Sequence, residues 1–152
     1  EDLSIAAQPA NLPRGLAFKS IATSPLLFIA PLEQQVPNVP TNTPTTPEEW
    51  ASIPMILSES GVSRARVDEW FRQLDVSPRI YAQVTGNEAI VSMVSLGFGI
   101  GVVPKIVLDN SPLVDRIRVL DVTPELEPYD IGLFTLKKNL KNPLVDAFWR
   151  LM

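Results

Sequence analysis

Two clusters of small polar residues mark where this sequence could hold an anion. The first is Ser58, Ser60 and Ser63 with Gly61 and Arg64, placed between an apolar run at 54–57 and an amphipathic stretch. The second, Thr85, Gly86 and Asn87, stands in the same relation to residues 79–84 and the apolar stretch that follows. Where the carboxyl end of a strand meets a helix start, hydroxyls and unpaired backbone N–H groups converge, and the helix dipole favours negative charge. Such loops are where open α/β sheets bind ligands. Each cluster also has a plainer reading. Ser63 caps its helix, and Thr85 with Glu88 forms a capping box in which Glu88 serves the cap. Arg64 sets the first cluster apart, because a cation in the first helical turn opposes the dipole and should meet a carboxylate, from the protein or from a ligand. Capping alone and capping with ligand contact both stand open there.

Gly97-Phe98-Gly99-Ile100-Gly101 invites a nucleotide-binding reading, but its context is reversed. A dinucleotide fingerprint follows a strand and opens a helix. Here the glycines follow a helix and open a strand, which favours a helix stop and close backbone packing. The acid pairs Glu48-Glu49 and Asp68-Glu69 fall on helix faces among polar neighbours and read as solvated surface, as do Lys137, Lys138 and Lys141. The 152 residues include no cysteine and no histidine. That removes the thiolate nucleophile, the disulfide framework, the usual transition-metal ligands and the commonest base near neutral pH. No nucleophile, base and orienter set remains, so no catalytic residue, metal site or cofactor is expected, and the chain reads as a binding module rather than an enzyme. A net charge of −4 argues against this segment gripping DNA phosphates. No stretch is long and apolar enough to predict a membrane span.

The elements that must position these clusters follow from periodicity and punctuation. Residues 3–7 and 16–22 predict short strands around a proline-marked turn, and 26–30 a strand buried on both faces. Residues 31–46, rich in proline, threonine and asparagine, predict an irregular excursion. Thr46-Pro47-Glu48-Glu49 then combines an N-cap, a proline at the first helical position and a capping-box acid, opening a short helix through Trp50. A strand at 54–57 leads to a helix from near Ser63 to about Leu74, with Val67, Trp70, Phe71 and Leu74 on one stripe. After a strand at 79–84, a helix runs to Leu96, apolar almost all round and stopped by Gly97. A strand at 100–103, a short helix at 104–108, and strands at 117–122 and 131–136 follow. Asn142-Pro143 caps a last helix carrying Leu144, Val145, Phe148 and Leu151. This alternation predicts an α/β fold of mixed, mostly parallel sheets covered by helices.

The run Asn87-Glu88-Ala89-Ile90-Val91-Ser92-Met93-Val94-Ser95-Leu96-Gly97-Phe98-Gly99-Ile100-Gly101-Val102-Val103-Pro104 resembles the effector domains of LysR-type transcription regulators. In that family a helix ending in a VxxGxGIxxxP pattern leads into a strand and a short proline-started helix. Asp2-Leu3-Ser4-Ile5-Ala6 resembles the family's strand in the first lobe, and Asn142-Pro143-Leu144-Val145-Asp146-Ala147-Phe148 its closing helix. The resemblance spans nearly the whole chain in the right order. It implies a two-lobed, type 2 periplasmic-binding-protein-like fold. The second lobe would be 25–128, and the first, built from 1–24 and 129–152, would be incomplete. The family's winged helix-turn-helix, linker helix and opening strand–helix–strand have no counterpart here, so DNA contact is expected through a separate N-terminal domain.

Arg64-Ala65-Arg66-Val67-Asp68-Glu69-Trp70-Phe71-Arg72, Ile80-Tyr81-Ala82, Glu88-Ala89-Ile90-Val91-Ser92-Met93-Val94 and Ala147-Phe148-Trp149 narrow the resemblance to members that activate branched-chain amino-acid synthesis. That implies acetolactate and acetohydroxybutyrate, small hydroxy-keto carboxylates, as inducers bound between the lobes. The expected ligand-binding residues are Ser58, Ser60, Ser63, Arg64, Thr85 and Asn87, with Gln8 across the cleft. The resemblance also implies a bacterial, cytoplasmic homo-oligomer with no membrane partner. A transport solute-binding protein for a small anion shares this fold and is the alternative, one that should carry a secretory leader in its gene. Fold alone does not choose between them.

Overall fold

The computed structural model describes residues 4–7, 14–33 and 36–151. Its strands in chain order are β1 (Ser4–Ala7), β2 (Leu16–Ser24), β3 (Leu26–Pro31), β4 (Pro54–Ser58), β5 (Arg79–Val84), β6 (Ile100–Pro104), β7 (Ile117–Val119) and β8 (Tyr129–Leu136). Its α-helices are α1 (Pro47–Ser52), α2 (Val62–Gln73), α3 (Asn87–Ser95), α4 (Lys105–Asp109) and α5 (Pro143–Leu151). The chain divides into two compact units, Glu1–Ser24 with Pro128–Met152, and Pro25–Glu127.

The larger unit is a five-stranded sheet in the order β5-β4-β6-β3-β7. β4 lies parallel to β5 and β6, whereas β3 runs antiparallel to β6 and β7, so four strands point one way and β3 opposes them. The parallel strands are linked through α2 and α3, the crossover helices that such neighbours require. Residues on both faces of β3 and β4 are buried, which is why their sequences read as unbroken apolar runs. On one face Ile29, Ile56 and Val103 meet Ile90, Val91 and Val94 of α3. A separate cluster joins Phe28, Trp50, Trp70 and Phe71, with neighbouring ring centroids 4.8 to 6.1 Å apart in tilted and edge-on arrangements. Such pairings add about 0.5–1.5 kcal/mol each beyond the area they bury, and they lock α1 and α2 onto the sheet.

The glycine run packs backbone against backbone, as its order implied. A Cβ on Gly99 would stand 2.3 Å from the Pro54 carbonyl oxygen, and one on Gly101 would stand 2.6 Å from Ile90 Cγ2. Gly97, at φ +88°, ends α3. Its N–H donates to Val94 O and that of Phe98 to Met93 O, the paired bonds of a Schellman stop.

In the smaller unit β8 sits between β1 and β2 and is antiparallel to both, with an irregularity between Ser20 and Ala22. The larger sheet is thus mixed, with two parallel and two antiparallel pairings, and the pairings of the smaller one are antiparallel. β1 and β2 run the same way on either side of β8, which returns between them in the opposite direction. Lys19 Nζ ties β2 to the end of α5 through the Trp149 carbonyl at 2.8 Å. Asn142 Oδ1 accepts from Leu144 N–H at 3.0 Å and caps α5, in which Val145 is buried while Leu144 and Leu151 are exposed.

Other boundaries differ in detail. The strand expected at 117–122 stops at Val119. Leu120 N–H still reaches Phe28 O at 2.9 Å, and the chain then leaves the sheet. Pro104 closes β6 in extended conformation rather than opening α4. Pro31 still belongs to β3, the rest of the 31–46 excursion is irregular where described, and Arg118 fixes it by donating to the carbonyls of Pro31 (3.0 Å) and Pro40 (2.9 Å). Among the described residues no helix is long and apolar enough to cross a membrane.

Candidate functional site

The carboxyl ends of β4 and β5 lie side by side: Ser58 is registered against Val84, and Glu59 N–H donates to the Val84 carbonyl at 3.0 Å. The two polar clusters leave the sheet together at this point. The end of β4 at Ser58, the loop at Ser60 and the first turn of α2 at Ser63 and Arg64 thus leave the sheet beside Thr85 and the start of α3 at Asn87. Gln8 lies outside the described residues.

Each loop enters its helix through a glycine. Gly61 is the N-cap of α2 at φ 97°, ψ −175°, and Gly86 that of α3 at φ 89°, ψ 132°. Side chains with a Cβ rarely adopt such angles. A Cβ at either glycine would meet nothing within 4 Å, so backbone conformation rather than crowding demands glycine there. Neither helix start has a side-chain cap, which leaves first-turn amides without a capping acceptor.

Both capping expectations are corrected. α2 starts earlier than expected and Ser63 is its second residue, part-buried, with no capping bond. In α3 the N-cap is Gly86 and not Thr85, which moves Glu88 from the third to the second helical position and takes the box out of register. Glu88 Oε1 instead accepts from Ser111 Oγ at 2.7 Å, and the buried Ser111 hydroxyl accepts from Leu113 N–H at 3.2 Å. Thr85 and Ser60 are exposed, whereas Ser58 and Asn87 are part-buried.

Arg64 meets a protein carboxylate. Its Nε donates to Asp68 Oδ1 at 2.8 Å, and its Nη1 to the Ser58 carbonyl at 3.0 Å and to Gln83 Oε1 at 2.5 Å. Asp68, four residues along the helix, is a partner that i,i+4 spacing offered. Gln83 and Ser111 are long-range partners with no local signal. The acid pairs have structural partners as well: Glu69 pairs with Arg72, and Glu49 N–H is held by the Thr46 hydroxyl. Among the described residues no group of three or more His, Cys, Asp or Glu is placed to hold a metal ion.

A family model for the LysR substrate binding domain matches residues 2–152. The chain is 40% identical to the HTH-type transcriptional activator IlvY of Salmonella typhimurium over 156 residues, covering 99% of this chain and 52% of that protein. It is 39% identical to the HTH-type transcriptional regulator IlvY of Escherichia coli, covering 99% and 51%. The chain thus spans about half the length of the curated relatives it matches. Among solved structures, it is similar to the effector binding domain of QuiR in complex with shikimate, with TM-score 0.74, 22% identity, and 98% of this chain and 68% of that one covered. The Synechocystis PCC6803 CcmR regulatory domain in complex with 2-PG gives 0.78, 21%, 99% and 71%. At these identities the two structures bear on the fold alone, a type 2 periplasmic-binding-protein-like one.

Proposed function

We propose, because the chain belongs to the LysR substrate binding domain family, that it is the inducer-sensing module of a cytoplasmic regulator of branched-chain amino-acid synthesis. The regulator contacts DNA through a separate N-terminal winged helix-turn-helix and works as a homo-oligomer. Its inducer is a small carboxylate of the acetolactate or acetohydroxybutyrate class, held between two lobes, residues 25–128 and residues 1–24 with 129–152. The 40% identity to an IlvY activator supports that inducer class. The module senses and does not catalyse, in keeping with relatives that are transcription regulators.

One observation carries the reading: two neighbouring helix starts, at the carboxyl ends of parallel strands, are entered through glycines and have no side-chain cap. Amides in that position suit a carboxylate. In this proposal Ser58, Ser60, Ser63, Thr85 and Asn87 surround the carboxylate, and Arg64 sets a positive charge behind them. Inducer shifts the arrangement of the regulator only by as much as it prefers one state over the other.

Calorimetric titration of the complete regulator with acetolactate tests this. Saturable binding is expected, with weaker response to a neutral ester of the same acid. No heat from a demonstrably folded regulator refutes the acetohydroxy-acid assignment while leaving family and fold untouched.

A further inference from the structure

We propose that Arg64 is a positioning residue: it fixes the distance between the two glycine-capped helix starts and aids ligand binding through that distance, without touching the ligand. The inference rests on the site reading above. The Arg64 side chain is only 16% exposed and its guanidinium joins three elements. Nη1 takes both the carbonyl of Ser58, the last residue of β4, and the amide oxygen of Gln83, the penultimate residue of β5. Nε takes Asp68 in the second turn of α2. The neighbouring Glu59–Val84 backbone bond, 3.0 Å, joins the same two strand ends. One planar fork therefore holds the end of β4 to the end of β5 and to α2. Three of its five N–H donors, the one on Nε and the two on Nη1, are spent on the protein, and Asp68 offsets the cation's conflict with the dipole. A lysine, a flexible point charge, cannot reproduce that fork.

The test uses the complete regulator and acetolactate as probe. Arg64→Lys and Gln83→Ala should each weaken binding by about tenfold. The double variant should bind no worse than Arg64→Lys alone. Gln83 is exposed, so its variant reports even where Arg64→Lys folds poorly. Parent affinity in Gln83→Ala alongside loss in Arg64→Lys would mean direct ligand contact and overturn the proposal, as would additive losses. Should the parent bind no acetolactate, the inducer assignment fails but the positioning claim is still decided. Hydrogen exchange at the Glu59 amide must then speed up by about tenfold in both single variants, and unchanged exchange overturns it.

Discussion

α1 and the α2–α3 pair begin in opposite ways within one unit of the molecule. At α1 the Thr46 hydroxyl accepts the Glu49 N–H at 3.1 Å, Pro47 takes a first-turn position that needs no donor, and Glu48 and Glu49 face the positive dipole end. That helix start is satisfied by its own residues. α2 and α3 begin at Gly61 and Gly86 without a capping side chain. The start of α4, at Pro104, also lacks a capping side chain, so what sets α2 and α3 apart is that each follows one of two adjoining parallel strand ends through a glycine at positive φ. Structure alone accounts for the α1 start, and the proposed carboxylate site uses those of α2 and α3.

Three substitutions test that contrast. The largest effect is expected from Gly61→Ala, since φ 97°, ψ −175° is a region populated almost only by glycine. A loss of about 1–3 kcal/mol by urea denaturation is expected, together with weakened acetolactate binding as the first turn is displaced. Full stability in this variant would remove the claim that the entry conformation is imposed. Thr46→Ala should cost about 1 kcal/mol, again by denaturation, and leave acetolactate affinity unchanged. If affinity also fell, α1 would belong to the site and the contrast would collapse. Asn87→Asp is the smallest and the most pointed. A carboxylate in the first turn of α3 should stabilise the regulator by about 0.3–1 kcal/mol while weakening binding of an anion. Stability and affinity moving in the same direction would count against the open helix starts as the anion site.

The sequence was informative where the signal is local. The Val67, Trp70 and Phe71 stripe, the buried β3 and the stop at Gly97 all follow from spacing and residue type, and all three are found. The Thr46 box was legible for the same reason. The Thr85–Glu88 box was misread because the S/T-x-x-E pattern does not fix which residue is the N-cap. Gly86 can take a positive φ, so the chain turns into α3 one residue later and Glu88 is freed for Ser111, 23 positions away. The place of the candidate site, at strand ends, was readable from alternation of elements. Its internal wiring was not: Gln83 reaches Arg64 only because β4 and β5 pair in the register they do.

The aromatic cluster under α1 and α2 has a consequence of another kind. Trp50 and Trp70 lie with ring centroids 5.0 Å apart and planes at 76°, and the remaining tryptophan, Trp149, belongs to the smaller unit. Two indoles so close exchange electronic excitation, and their coupled transitions rotate polarised ultraviolet light in a manner set by that mutual geometry. The larger unit thus carries a built-in chromophore whose spectrum registers its own packing, separately from the rest of the chain.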